Sequence, residues 1–141
     1  MIDQLTVFLS NEPGRLTALA RALGDAGINM HALTVADTSE YGVVRIVCDD
    51  PKLAVEKLTE AGFRAMTNKI VAVEVPDRPG GLAELLETLS ADPSMSIEYS
   101  YCFSKPATGA IDALKAPEGA EEILANAGYH VLKPEELYKL G

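Results

Sequence analysis

Two short segments carry the chemistry of this 141-residue chain, and they are near copies. Asn11-Glu12-Pro13-Gly14-Arg15-Leu16 returns 66 positions later as Asp77-Arg78-Pro79-Gly80-Gly81-Leu82. Glycine lets the backbone approach a ligand closely, and the first N–H groups of a helix have no intrahelical partner. Together with the helix dipole, those N–H groups make a place for a carboxylate. If the carboxylate belongs to an amino acid, its ammonium wants acceptors. Asn11, Glu12 and Asn29 supply them in the first copy, Asp77 and Ser96 in the second. A plain strand-to-helix turn also uses Pro-Gly, so these residues alone leave both readings open.

Other chemistry finds little support. The two histidines, His31 and His130, fall one per copy and do not align. His31 sits on a predicted strand and reads as structural or ligand-facing rather than as a general base. No His/Cys/Asp group has metal-ligand spacing, and no Gly-rich phosphate loop is present. Glu121-Glu122 and Glu135-Glu136 read as solvated helix faces. Cys48 and Cys102 lie in apolar runs and read as buried, reduced thiols. The sequence therefore nominates no catalytic residue, no metal site and no cofactor. A net charge of −9 argues against nucleic acid and against anionic lipid as partners. No apolar run approaches the roughly 18 residues of a membrane span. Met1-Ile2-Asp3-Gln4 lacks the basic and apolar regions of a signal peptide, so the expected location is cytoplasmic.

The elements that must position the two turns follow from hydrophobic periodicity. Residues 4–9 alternate as a strand, with Leu5, Val7 and Leu9 on one face. Asn11 reads as the N-cap of a helix and Pro13 as part of its first turn; Leu16, Leu19 and Leu23 follow at helical spacing. Gly24 or Gly27 ends that helix. Strands at 28–36 and 41–48 flank a turn at 37–40. A helix opens at Asp50-Pro51, and a strand at 63–67 closes the copy. The second copy repeats the order: strand 70–75, helix 80–89, strand 95–103, a turn at Lys105-Pro106, strand 110–114, helix 118–127, strand 129–132. Each copy is β-α-β-β-α-β, the ferredoxin-like arrangement. The predicted fold is α+β, with domain 1 at residues 1–68, domain 2 at 69–133 and a tail at 134–141 forming one helical turn. On 97–103, Ile97, Tyr99, Tyr101 and Phe103 face one way and Glu98, Ser100 and Cys102 the other. Strand 30–36 is partly apolar on both faces, Met30, Ala32 and Ala36 alternating with Leu33 and Val35. Helices cover only one face of such a sheet, so a homodimer through the open faces is expected.

The pattern strand–Asn/Asp-x-Pro-Gly-x-Leu–helix, followed by Gly27-Ile28-Asn29-Met30, resembles the ACT domain. The second copy answers with Asp77-Arg78-Pro79-Gly80-Gly81-Leu82 and Met95-Ser96-Ile97. The likeness spans about residues 3–133. The aromatic run Tyr99-Ser100-Tyr101-Cys102-Phe103 and the ending Glu136-Leu137-Tyr138-Lys139-Leu140 extend it to the small stand-alone tandem members. The resemblance implies regulatory modules that bind small molecules, most often amino acids, and that pair edge to edge into an eight-stranded sheet with helices on one face. It also implies two ligand sites. One would join Asn11, Pro13, Gly14, Arg15 and Leu16 to Ile97, Glu98, Tyr99 and Ser100. The other would join Asp77, Pro79, Gly80, Gly81 and Leu82 to Asn29, Met30, His31 and Ala32. Gly81 stands where the first copy has Arg15, and Ser96 where it has Asn29, so the sites are expected to have diverged.

The resulting expectation is a non-catalytic sensor for a free amino acid or similar small carboxylate, with the ligand at the interface between the two units. A regulatory subunit of an amino-acid biosynthetic enzyme, with that enzyme as partner, is one alternative. A small ferredoxin-like enzyme is the other, and Arg15 with Asn29 is the only polar pair it could use.

Overall fold

A computed structural model describes residues 1–37, 41–105 and 109–139. The element order is β1 (Ile2–Ser10), α1 (Arg15–Asp25), β2 (Met30–Asp37), β3 (Tyr41–Cys48), α2 (Pro51–Glu60) and β4 (Arg64–Glu74), then α3 (Gly81–Ser90), β5 (Tyr99–Lys105), β6 (Gly109–Lys115), α4 (Ala120–Asn126) and α5 (Pro134–Tyr138). The fold is α+β. The chain divides into two compact units, Asp3–Asn68 and Met1–Ile2 with Lys69–Gly141. The turns expected at Thr38-Ser39-Glu40 and at Pro106 lie outside the described residues, as does Leu140.

In the first unit β3 lies between β1 and β2, antiparallel to both, with Leu5 opposite Ile46 and Val35 opposite Val44. Leu5, Val7, Leu9, Val44 and Ile46 point to one side, where Leu19 and Leu23 of α1 and Ala54 and Leu58 of α2 close the core. Asp50 caps α2 by accepting a hydrogen bond from the Leu53 N–H at 3.1 Å, and Pro51 occupies the first turn, where its missing N–H costs nothing. In the second unit β6 lies between β4 and β5, again antiparallel. Val71, Val73 and Leu114 pack with Leu85 and Leu89 of α3 and Leu124 of α4. The leucines that recur in the sequence are therefore the repeated core.

Three sequence expectations are corrected here. Eight strands were expected and the described residues form six. The strands at 63–67 and 70–75 are one continuous strand, β4, because no glycine or proline interrupts the chain between Gly62 and Pro76. The last strand shrinks to a bridge between Val131 and Val73, with Pro134 following at once. Asn11 is not the N-cap of α1. Gly14 is, in the left-handed region at φ 85°, so Pro13 precedes the helix rather than entering it. The strand expected from Met95 begins at Tyr99, because Asp92 folds the preceding residues into a turn by accepting from the Ser94 N–H at 2.9 Å.

Strand alternation sends Ile70, Ala72, Ile111 and Ala113 away from α3 and α4, yet all four are fully buried within the single chain. The exposed large apolar residues lie elsewhere and include Leu16, Leu33 and Val35. Among the described residues no helix is long and apolar enough to cross a membrane.

Candidate functional site

The first Pro-Gly turn opens into a cleft. The chain leaves β1 at Ser10, and Gly14 turns it through a left-handed conformation that a side chain would strain. α1 then starts at Arg15. Its first intrahelical bond runs from the Ala18 N–H to the Gly14 carbonyl at 2.9 Å, while the Arg15 N–H reaches Glu12 O only at 3.4 Å. Leu16 and Thr17 contribute N–H groups in the same turn. Its N-cap, Gly14, supplies no side-chain cap, and no acidic residue stands in its first turn. A helix start of this kind favours a nearby negative charge.

The cleft measures about 460 Å³ and is lined by Leu9, Ser10, Asn11, Glu12, Pro13, Arg15 and Leu16, with Val35 from β2 and Gly42 from β3. Strand register builds its floor, because Leu9 lies opposite Gly42. A Cβ on Gly42 would stand 3.6 Å from the Ala36 carbonyl and 3.9 Å from Asn11 Oδ1. The Arg15 guanidinium lies 4.6 Å from the centre of the Phe63 ring, a cation–π contact that steadies it along one wall.

The second Pro-Gly turn keeps the backbone and changes the electrostatics. Gly80 caps α3 at φ 85°, as Gly14 caps α1. At Gly81, however, a Cβ would fall 2.1 Å from the Pro76 carbonyl oxygen. The chain is folded against the helix start where the first unit carries Arg15. Arg78 forks onto Glu84 with contacts of 3.2 and 2.5 Å, which raises the arginine and lowers the carboxyl from their ordinary pKa values. Glu84 stands in the first turn of α3, so this helix already has its anion.

The remaining sequence candidates fall as follows. Asn29 precedes β2, and Met30, His31 and Ala32 open it beside Cys48 and Val47, whereas the cleft of their own unit meets β2 at its other end, at Val35. The Asn29 N–H donates to Asp49 Oδ1 at 3.1 Å, and the Asp49 N–H donates to Asn29 O at 3.2 Å. Asn29 does not line the Arg15 cleft, so the one polar pair open to an enzyme reading is separated. Asp77, Pro79, Gly80, Gly81 and Leu82 gather at the second turn. Ile97 and Glu98 precede β5, with the Glu98 N–H bonded to Lys115 O at 2.9 Å, and Tyr99 and Ser100 open that strand. Sequence reasoning missed Ser10, which adjoins the turn in the chain, and Val35 and Gly42, which only non-local strand register brings to it.

Both thiols are poor nucleophiles. Burial pushes Cys48 up to about 11, and partial burial beside Asp112 does the same for Cys102. Contrary to the expectation of two buried cysteines, Cys102 is exposed. Among the described residues no three His, Cys, Asp or Glu side chains could hold a metal.

Residues 1–140 match the family description of an ACT domain pair. The chain belongs to the ACT domain family. A crystallised protein from Bacteroides thetaiotaomicron is 32% identical to this ACT pair, with a TM-score of 0.91 over 99% of this chain and 96% of the other. The ligand-free regulatory subunit of aspartate kinase from Thermus thermophilus has a similar fold, with a TM-score of 0.64 at 17% identity over 89% of each chain. The regulatory subunit of aspartate kinase from Thermus flavus gives a TM-score of 0.57 at 19% identity, over 90% of this chain and 94% of that one. At these identities the two Thermus proteins share the fold alone. No curated protein matches the chain.

Proposed function

We propose that this ACT pair is a non-catalytic cytoplasmic sensor that binds a free amino acid, or a similar small carboxylate, in the cleft at the start of α1. One observation carries the reading: the uncapped, acid-free start of α1 opens into a cleft of about 460 Å³ with Arg15 on its wall. The ligand carboxylate would take the N–H groups of the first turn and the Arg15 guanidinium. Its ammonium would face Asn11 and Glu12, and its side chain would lie against Leu16 and Val35. The second turn, already holding Glu84, would bind more weakly or not at all. Regulation would follow because a ligand that prefers one arrangement of the protein shifts the population toward it. A homodimer would use Leu33 and Val35 on the edge strand β2, both exposed, rather than the buried remote face of the second unit.

A thermal-shift screen against the twenty amino acids and small carboxylates tests this. A ligand at about 100 times its Kd adds about 2.7 kcal/mol of stability. Leu16→Glu places a like charge beside the carboxylate at an exposed position; it should abolish the shift and leave the unliganded melting temperature nearly unchanged. If no compound raises the melting temperature of the wild-type protein, the reading fails.

A further inference from the structure

The end of β1 serves a second cleft, on the other face of the first unit. Leu5, Val7 and Leu9 point into the core, so Phe8 and Ser10 point away from the helices. Tyr41 lies opposite Ser10 in the β1–β3 register. With Leu9 and Arg64 these residues line a cleft of about 550 Å³. The Phe8 and Tyr41 rings meet edge to face, 6.4 Å between centres at 65°. The Arg64 guanidinium stands 5.5 Å from the centre of the Phe8 ring. Among the described residues no carboxylate is paired with Arg64, in a chain with 21 acidic and 12 basic side chains. None of the five described lining residues is acidic.

The repeat supplies an internal control. The second unit has a cleft at the corresponding place, about 260 Å³, lined in part by Glu74, Pro76 and His130. These stand 66 positions after Phe8, Ser10 and Arg64. There the aromatic has become a carboxylate, and the cation position is occupied: His130 Nε2 lies 2.6 Å from Glu136 Oε2. One fold position thus carries an arginine beside two rings in one unit and a closed polar pair in the other.

We propose that the Phe8–Tyr41–Arg64 cleft is a second ligand site, separate from the α1 cleft, and that it takes a small aryl carboxylate. The guanidinium fork matches both carboxylate oxygens, and the rings offer edge and face to the aryl group. Among the described lining residues none offers an α-ammonium a counter-ion. The site therefore prefers acids without an amino group, the opposite of the preference proposed for the α1 cleft. It does not depend on that proposal.

The test is a titration of the full chain with benzoate, benzamide and acetate, followed by amide chemical shifts. Benzoate should move the Tyr41 and Arg64 amides, which line this cleft and not the α1 cleft, saturably, while benzamide and acetate bind at least tenfold more weakly. Arg64→Gln, at an exposed position, should keep the folded spectrum and weaken benzoate at least tenfold. Leu16→Glu should leave benzoate binding unchanged, even if no amino acid binds at α1. Two results overturn the proposal: benzoate affinity indifferent to Arg64→Gln, or shifts confined to the start of α1.

Discussion

At the scale of single residues, Asp112 sets a pH dependence of definite sign. It is fully buried on β6, where its Oδ1 accepts from Ser100 Oγ at 2.5 Å and from the Cys102 thiol at 3.6 Å. Its Oδ2 is buried without a hydrogen-bond partner among the described residues. Burial raises its carboxyl above the ordinary range, outweighing the two hydrogen bonds that act the other way. The folded state therefore holds this proton more tightly than the unfolded chain does. That contribution is complete below the unfolded pKa of about 3.9 and is lost as pH rises through the folded value. Asp112→Asn should gain stability relative to wild type, and gain more at pH 7 than at pH 3.5 in urea unfolding. Equal gains at both pH values would mean that Asp112 ionises without penalty. Glu136 carries the opposite sign: His130 and then the Lys133 N–H lower its pKa, so its contribution is lost as pH falls through the folded value.

At the scale of elements, the two Pro-Gly turns test how far a repeat predicts a site. Gly14→Ala should cost about 1–2 kcal/mol, because φ 85° disfavours any Cβ. Gly81→Ala should cost about 1–3 kcal/mol for another reason, the collision of its Cβ with the Pro76 carbonyl. Arg15→Ala, at the same repeat position, should lose only the cation–π contact, about 0.5–1 kcal/mol. Urea titrations of the three variants check the order. The sequence displayed both turns and both helices because Pro, Gly and the leucine spacing are local signals. It could not display what opposes Gly81, since the path of Pro76 against α3 is a tertiary fact. The misread cap has the same origin. Asn11 is a good N-cap by type, but the left-handed Gly14 delays the helix to Arg15. Phe8, Tyr41 and Arg64 were invisible as a group because strand register, not spacing, assembles them.

At the scale of the whole molecule, each unit stands on its own buried cluster, and the repeat places Leu58 and Leu124 in equivalent positions within them. Leu58→Ala and Leu124→Ala should each cost about 2–5 kcal/mol, read by urea unfolding. Leu33→Asp with Val35→Asp should leave stability nearly intact and halve the sedimenting mass if β2 is the dimer edge; an unchanged mass would remove that edge from consideration. Alternation reveals which residues share a face but not whether the same chain already covers it, as Ile70, Ala72, Ile111 and Ala113 demonstrate. The placement of the cysteines has a practical consequence. Cys48 is fully buried in the first unit and Cys102 is exposed in the second. An alkylating reagent will meet Cys102 directly and Cys48 only when the first unit opens. The native chain therefore contains its own clock and its own calibration, and the ratio of the two labelling rates times the breathing of the first unit without any introduced probe.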